Sequence, residues 1–269
     1  MNQKVKIFTL SSVILLLLSA CAVSPENQTG VANQQNGENP NKQQLKDIAS
    51  EIYSLGQAAI SNEEFALASE QFSKLIKDFP NDTRLPNALL GKAYAQYKVG
   101  NNRAASRITK RFIKSYKKHP LLDYAYYLNG LTRYNPGIEH LQNNELVSNN
   151  RPTLAREAFE SFSYLVRRYP DSRYVEDSRL RMEVLFNKLA EYELAFAKDS
   201  FQQEKNRDAI ARAEYIIKHY MDTHAAQEAY ALMISAYEAL GDLSTAELLR
   251  LQFAQKFPKQ PMTNFEQGS

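Results

Sequence analysis

Tryptophan is absent from this 269-residue chain, and cysteine occurs once, at Cys21. A lone cysteine excludes a disulfide within the chain and any zinc site built from several thiolates. The four histidines, His119, His140, His219 and His224, show no His-x-x-x-His spacing, so no metal centre is expected. Lys and Arg number 33 against 30 Asp and Glu, a formal charge of +3 with no excess to draw nucleic acid. Phosphate-cradling glycine loops and a nucleophile elbow are missing. Ser115-x-x-Lys118 matches a penicillin-recognising pattern by four letters only and lacks its Ser-Asp-Asn and Lys-Thr-Gly companions. Nothing here points to catalysis or a cofactor; the chain reads as a binding protein. Strand patterning is missing too, so the fold is expected to be all-α.

What is present begins at the N-terminus. Lys4 and Lys6 precede an apolar run from Val13 to Leu18 that exits through Leu18-Ser19-Ala20-Cys21. Charge, apolar stretch and small residues in that order form a secretory signal, and the run is too short to span the roughly 30 Å of a bilayer core. A cysteine directly after Leu-Ser-Ala is where bacterial lipoprotein processing cleaves and acylates. Residues 1–20 are therefore expected to be removed and Cys21 to carry the lipid, which anchors the chain to a membrane. Ala22 rather than Asp follows the cysteine, which by analogy with proteobacterial sorting directs the protein to the outer membrane, facing the periplasm. Removing residues 1–20 takes two lysines and no acids, leaving the mature charge near zero.

From residue 21 to 44 the sequence is almost entirely Asn, Gln, Gly, Pro, Glu and Ser, with no apolar period to repay the entropy of ordering it. It reads as a flexible tether averaging about 26 Å end to end and stretching to about 75 Å. Beyond it the chain repeats. Phe79-Pro80, His119-Pro120, Tyr169-Pro170, Tyr220-Met221 and Phe257-Pro258 close successive amphipathic helices, at a period near that of paired-helix solenoids. In the first unit Leu55, Gly56, Phe65, Ala68, Phe72 and Pro80 take tetratricopeptide spacing. Gly56 and Ala68 fall where the helices touch, and Phe72 fills the space between units. Gly100 with Ala105 and Phe112, Ala158 with Phe162, Ala209 with Ala213, and Gly241 with Ala246 and Phe253 mark four more, giving about five helix pairs. The intervals are stretched by an extra turn before Pro120, by an Asn-rich insert over 134–152 that reads as a surface loop, and by a long helix over about 175–197. The divisions expected are N-terminal repeats at 45–133, C-terminal repeats at 153–258 and a tail at 259–269.

Such repeats bind extended or helical peptides along the face lined by the first helix of each pair. The register turns Tyr53, Gln57, Tyr94, Tyr97 and Lys98 toward that face, with Tyr126 and Tyr127 in the third pair. Tyrosine offers area and a hydroxyl at low entropic cost, although a tyrosine stripe at helical spacing serves packing as readily as binding.

Several strings carry a resemblance beyond repeat spacing: Asp123-Tyr124-Ala125-Tyr126-Tyr127-Leu128, Ala155-Arg156-Glu157-Ala158-Phe159, the run from Leu165 to Tyr174, and Leu189-Ala190-Glu191-Tyr192-Glu193. With the N-terminal lipidation motif, they make the chain resemble the BamD (ComL) lipoproteins of the β-barrel assembly machinery over nearly all of 45–258. The resemblance implies a five-repeat periplasmic scaffold without catalytic activity. Its C-terminal repeats would dock on a BamA-like β-barrel subunit, beside the other assembly-machinery lipoproteins, and its N-terminal repeats would recognise unfolded outer-membrane proteins. Arg212 matches a family arginine implicated in the BamA contact, and Phe79 an aromatic near substrate. Two departures stand out: Asn81-Asp82-Thr83-Arg84 replaces the aromatic-Gly-Pro-Tyr turn of many members, and Met221 replaces the proline that closes the fourth repeat. A periplasmic repeat adaptor coordinating cell-envelope or peptidoglycan machinery is the alternative reading. A lipoprotein enzyme is a distant third, since nucleophile, metal and cofactor signals are all missing.

Overall fold

The computed structural model describes residues 40–142, 152–259, 261–262 and 264–266, and the signal, Cys21, most of the tether and 143–151 lie outside these. Ten helices occur among the described residues: α1 (Pro40–Ser61), α2 (Phe65–Asp78), α3 (Leu85–Lys98), α4 (Asn102–Ser115), α5 (Leu122–Gln142), α6 (Thr153–Arg168), α7 (Val175–Gln202), α8 (Asn206–His219), α9 (His224–Ala239) and α10 (Leu243–Lys256). They form five consecutive pairs and no strand, in keeping with the all-α expectation. None is long and apolar enough to cross a membrane. Two compact units divide within α4, between Ile108 and Thr109.

Four of the five pairs turn on one left-handed residue: Glu63 (φ 61°), Gly100 (φ 80°), Glu204 (φ 58°) and Gly241 (φ 78°). In each the next residue donates back to the carbonyl five earlier, as in Glu64 N–H to Ala59 O at 2.8 Å and Asp242 N–H to Tyr237 O at 2.9 Å. The bond satisfies carbonyls that the helix end would otherwise leave unpaired. Gly100 and Gly241 accept the conformation freely because they lack a Cβ.

The core of the first unit is built around Phe72, fully buried on α2. Its ring lies between two helix backbones: a Cβ at Gly56 on α1 would stand 2.7 Å from it, and one at Gly91 on α3 2.6 Å. The expected place of Phe72 between neighbouring repeats therefore holds. In the second unit Phe162 on α6 meets Gly130 on α5 in the same way, at 2.5 Å from a notional Cβ. Further along, a Cβ at Gly137 would meet the Ala155 backbone nitrogen at 2.8 Å, so α5 and α6 approach almost backbone to backbone.

Beside this contact runs a buried polar chain. Thr109 donates to Asn129 Oδ1 (3.0 Å), Asn129 Nδ2 to Ser161 Oγ (2.9 Å), and Ser161 to the Glu157 carbonyl (2.9 Å). Arg133, its side chain 4% exposed, donates to the carbonyl and Oδ1 of Asn129 and through Nε to Glu157. Lys110 reaches the same Glu157 oxygen at 3.3 Å. Burial alone would raise the Glu157 carboxyl, but the two cations bring it below the usual carboxylate range.

Several boundaries differ from the sequence reading, among them the long helix α7, which runs on to Gln202. Helix α1 starts at Pro40, inside the expected tether. The insert is not a loop from Tyr134: α5 continues through Pro136 to Gln142, because burial of Gly137 and Leu141 against the fold outweighs the one donor that the proline removes. The second repeat is not closed by an extra turn and His119-Pro120. Helix α4 ends at Ser115, and Tyr116 takes the closing place, its N–H on Phe112 O at 2.9 Å.

His119 instead does what Asp82 and Ser172 do in neighbouring repeats, accepting a backbone N–H two residues on: Leu121 N–H to His119 Nδ1 at 3.2 Å, beside Arg84 N–H to Asp82 at 2.8 Å and Tyr174 N–H to Ser172 at 3.3 Å. This needs a neutral ring, and burial pushes the His119 proton affinity below its ordinary 6.5. The unfolded histidine takes up a proton as pH falls through about 6.5 while the native one resists, so stability present above that value declines below it. Thermal melts from about pH 7.5 to 5 should show this decline, and His119→Asn, which keeps an acceptor but does not titrate, should flatten it. An unchanged slope would exclude His119 as its source.

Candidate functional site

The aromatic residues expected to bind peptide are distributed over both units. In the first, Tyr53 on α1 is half-buried, its ring 6.0 Å from Phe72 and its hydroxyl accepting from Gln57 Nε2 at 2.7 Å. Tyr97, at the end of α3, is half-buried, and Phe79 caps α2 with its N–H on Leu75 O at 3.0 Å. Tyr94 behaves differently. It is 4% exposed and meets Phe65 edge-on at 5.9 Å, and burial, then the charges of Glu63 and Tyr97, pushes its hydroxyl up to about 12. Tyr94 is a packing residue and leaves the set that can touch a peptide. Lys98, read onto the same face, lies with Nζ 4.9 Å from the centre of the Phe65 ring that Tyr94 meets.

The departure at residues 81–84 has a defined geometry. Asp82 accepts from Arg84 N–H, Nε and Nη2, each at 2.8 Å, and Arg84 Nη2 also donates to Lys46 O on α1 at 3.2 Å. The guanidinium hydrogen-bonded to Asp82 holds that carboxyl below the usual range. An ion pair thus fixes the turn beside Phe79.

In the second unit Tyr126 stacks on Tyr164 at 4.2 Å, with Tyr169 at 6.3 Å. Burial, then the hydrogen bond with Tyr164, raises the Tyr126 hydroxyl. Tyr164 is 40% exposed, so this stack reaches the surface through a residue the sequence reading did not single out. Tyr127, read as its companion on the lining face, belongs to the core: it is buried, stacks on Tyr174 at 4.6 Å and donates to Asp177 at 2.8 Å.

Arg212 lies on α8, its side chain 42% exposed. The guanidinium carbon sits 5.0 Å above the Phe196 ring on α7, and Nη1 is 3.7 Å from Glu193 Oε2. That is an ion pair without a hydrogen bond, and Arg212 makes no hydrogen bond to any described residue. Glu193, 13% exposed, is hydrogen-bonded by Arg156 Nη2 from α6 at 2.9 Å. A guanidinium held over an aromatic face, with no hydrogen bond to a described residue, suits an acidic partner group. Among the described residues no group of three or more His, Cys, Asp or Glu gathers to hold a metal ion. Stacking and ion pairing are what these side chains offer.

Residues 46–249 match the protein family YfiO, described as outer membrane lipoprotein. The chain is 30% identical over 251 residues to the outer membrane protein assembly factor BamD of Neisseria gonorrhoeae, covering 91% of this chain and 89% of that one. It is 31% identical over 214 residues to BamD of Neisseria meningitidis serogroup A, covering 78% and 79% of the two chains. With BamD of Vibrio cholerae it shares 30% over 238 residues, or 87% and 91%.

Proposed function

Because the chain belongs to the YfiO family of outer membrane lipoproteins, we propose that it is a non-catalytic subunit of the β-barrel assembly machinery. It is held at the periplasmic face of the outer membrane by lipid on Cys21. It docks on a BamA-like β-barrel subunit through Arg212, sits beside other assembly lipoproteins, and receives unfolded outer-membrane proteins on Tyr53, Phe79 and Tyr97 of the first unit; Tyr126 of the second is a substrate contact in its own right. The match to assembly factors along most of the chain supports the assembly role over that of a general envelope adaptor.

The observation that carries the docking reading is the state of Arg212, which is half-exposed, braced on Phe196 and without a hydrogen bond to any described residue. Removing one member of a charge pair at an interface costs far more than removing an exposed helix arginine, whose loss is worth about 0.5 kcal/mol or less. Arg212→Glu should therefore cut co-purification of the barrel subunit at least about tenfold. Its melting temperature should move by no more than a few degrees. Undiminished co-purification would return Arg212 to an ordinary solvated face.

A further inference from the structure

We propose that Arg156 is a positioning residue for the Arg212 site: by occupying Glu193, it keeps the Arg212 guanidinium available to a carboxylate on the docking partner. The inference rests on the docking reading of Arg212.

Three helices bring one carboxylate and two guanidinium groups together. Glu193 on α7 is the acid that both ion pairs share: Arg156 on α6 reaches its Oε1 at 2.9 Å in a hydrogen bond, and Arg212 on α8 stands 3.7 Å from Oε2 without one. Two cations share one anion, so the cluster keeps one net positive charge. The charge resides on the more loosely held member, Arg212, whose guanidinium carbon lies 5.0 Å over the Phe196 ring. Glu193 is largely buried, with a side-chain exposure of 13%, and a carboxylate there needs a donor. If Arg156 were removed, Arg212, already 3.7 Å from Oε2, would be the guanidinium left to pair with Glu193, and its fork fits a carboxylate at two points. Arg212 would turn from the partner to Glu193, and the local charge would fall to zero. Arg156 thus acts on docking through Glu193, with no contact of its own required.

The test uses the full-length lipoprotein in mild detergent and, as probe, the purified periplasmic domains of the barrel subunit from the same organism, with affinity measured by calorimetry. Arg156→Gln should weaken binding by roughly tenfold, the equivalent of one charged hydrogen bond diverted from the partner. Arg156→Gln combined with Glu193→Gln should return affinity to within about twofold of wild type, since no carboxylate remains to capture Arg212. Circular dichroism on each variant confirms the fold, and Arg212→Gln is the control for the site itself. Affinity of Arg156→Gln equal to wild type, with Arg212→Gln weakened, overturns the positioning role and leaves docking intact. A double variant as weak as Arg156→Gln alone also overturns it, because Arg156 would then touch the partner directly. If Arg212→Gln binds normally, the docking reading falls and takes this inference with it.

Discussion

Phe72→Ala should lower the stability of the first unit by about 3–5 kcal/mol, the upper range for emptying a core aromatic site. The reason lies in the glycines. The ring is fully buried, and Gly56 and Gly91 flank it with backbone, so no neighbouring side chain at either position can swing in to fill the hole. The same geometry predicts a coupling. Gly91→Ala alone should cost about 1–3 kcal/mol, because its Cβ would fall 2.6 Å from the Phe72 ring. In Phe72→Ala/Gly91→Ala that clash is gone, so the double variant should be more stable than the sum of the single losses by at least about 1 kcal/mol. Urea unfolding of the four proteins measures this directly, and strict additivity would mean that the ring and the glycine do not meet.

Arg133→Met is expected to cost about 2–3 kcal/mol in the second unit. Breaking a buried ion pair by removing one partner typically costs about 3–5 kcal/mol, and the lower figure applies because Glu157 is 35% exposed and keeps Lys110. The variant also strips a donor from Asn129 Oδ1. The pH dependence has a definite sign. The native Glu157 carboxyl lies below its ordinary 4.5, so its contribution is present above that value and lost as pH falls through the lower native one. Without Arg133 the native carboxyl moves up, and the part of the acid-side decline that Glu157 contributes should shrink. A loss of stability with an unchanged acid limb would assign the Arg133 effect to packing alone.

The sequence displayed its local features and hid its non-local ones. Helix pairs, their number and the place of Phe72 follow from apolar spacing and from small residues at fixed offsets, all of which act within about 35 residues. Gly91 and Gly130 do what Gly56 does, admitting a phenylalanine ring against helix backbone, but they lie outside the repeat spacing that marks Gly56. Asn135-Pro136-Gly137 has the composition of a turn, and tertiary burial overrides it. Tyr94 and Tyr97 lie three residues apart on one helix, yet burial of Ala88, Leu89, Leu90, Ala93, Tyr94 and Ala95 covers so wide an arc of α3 that period alone does not separate lining from core. His119-Pro120 resembled a helix stop because proline is a strong signal; the actual stop, Tyr116, is marked by the aromatic alone. Arg212 could be singled out only by resemblance. Its braces, Glu193 and Phe196, lie on another helix, and the hydrogen bond that frees it comes from Arg156 on a third.

The most direct test of the assembly role is to solubilise outer membranes in mild detergent, capture this lipoprotein by a C-terminal tag and identify what accompanies it in stoichiometric amount. A large β-barrel protein with repeated periplasmic domains is the principal partner expected, lost from the Arg212→Glu sample while the lipoprotein itself remains folded and membrane-bound. Recovery of peptidoglycan-associated proteins in its place, with no barrel subunit present, would contradict the assembly role.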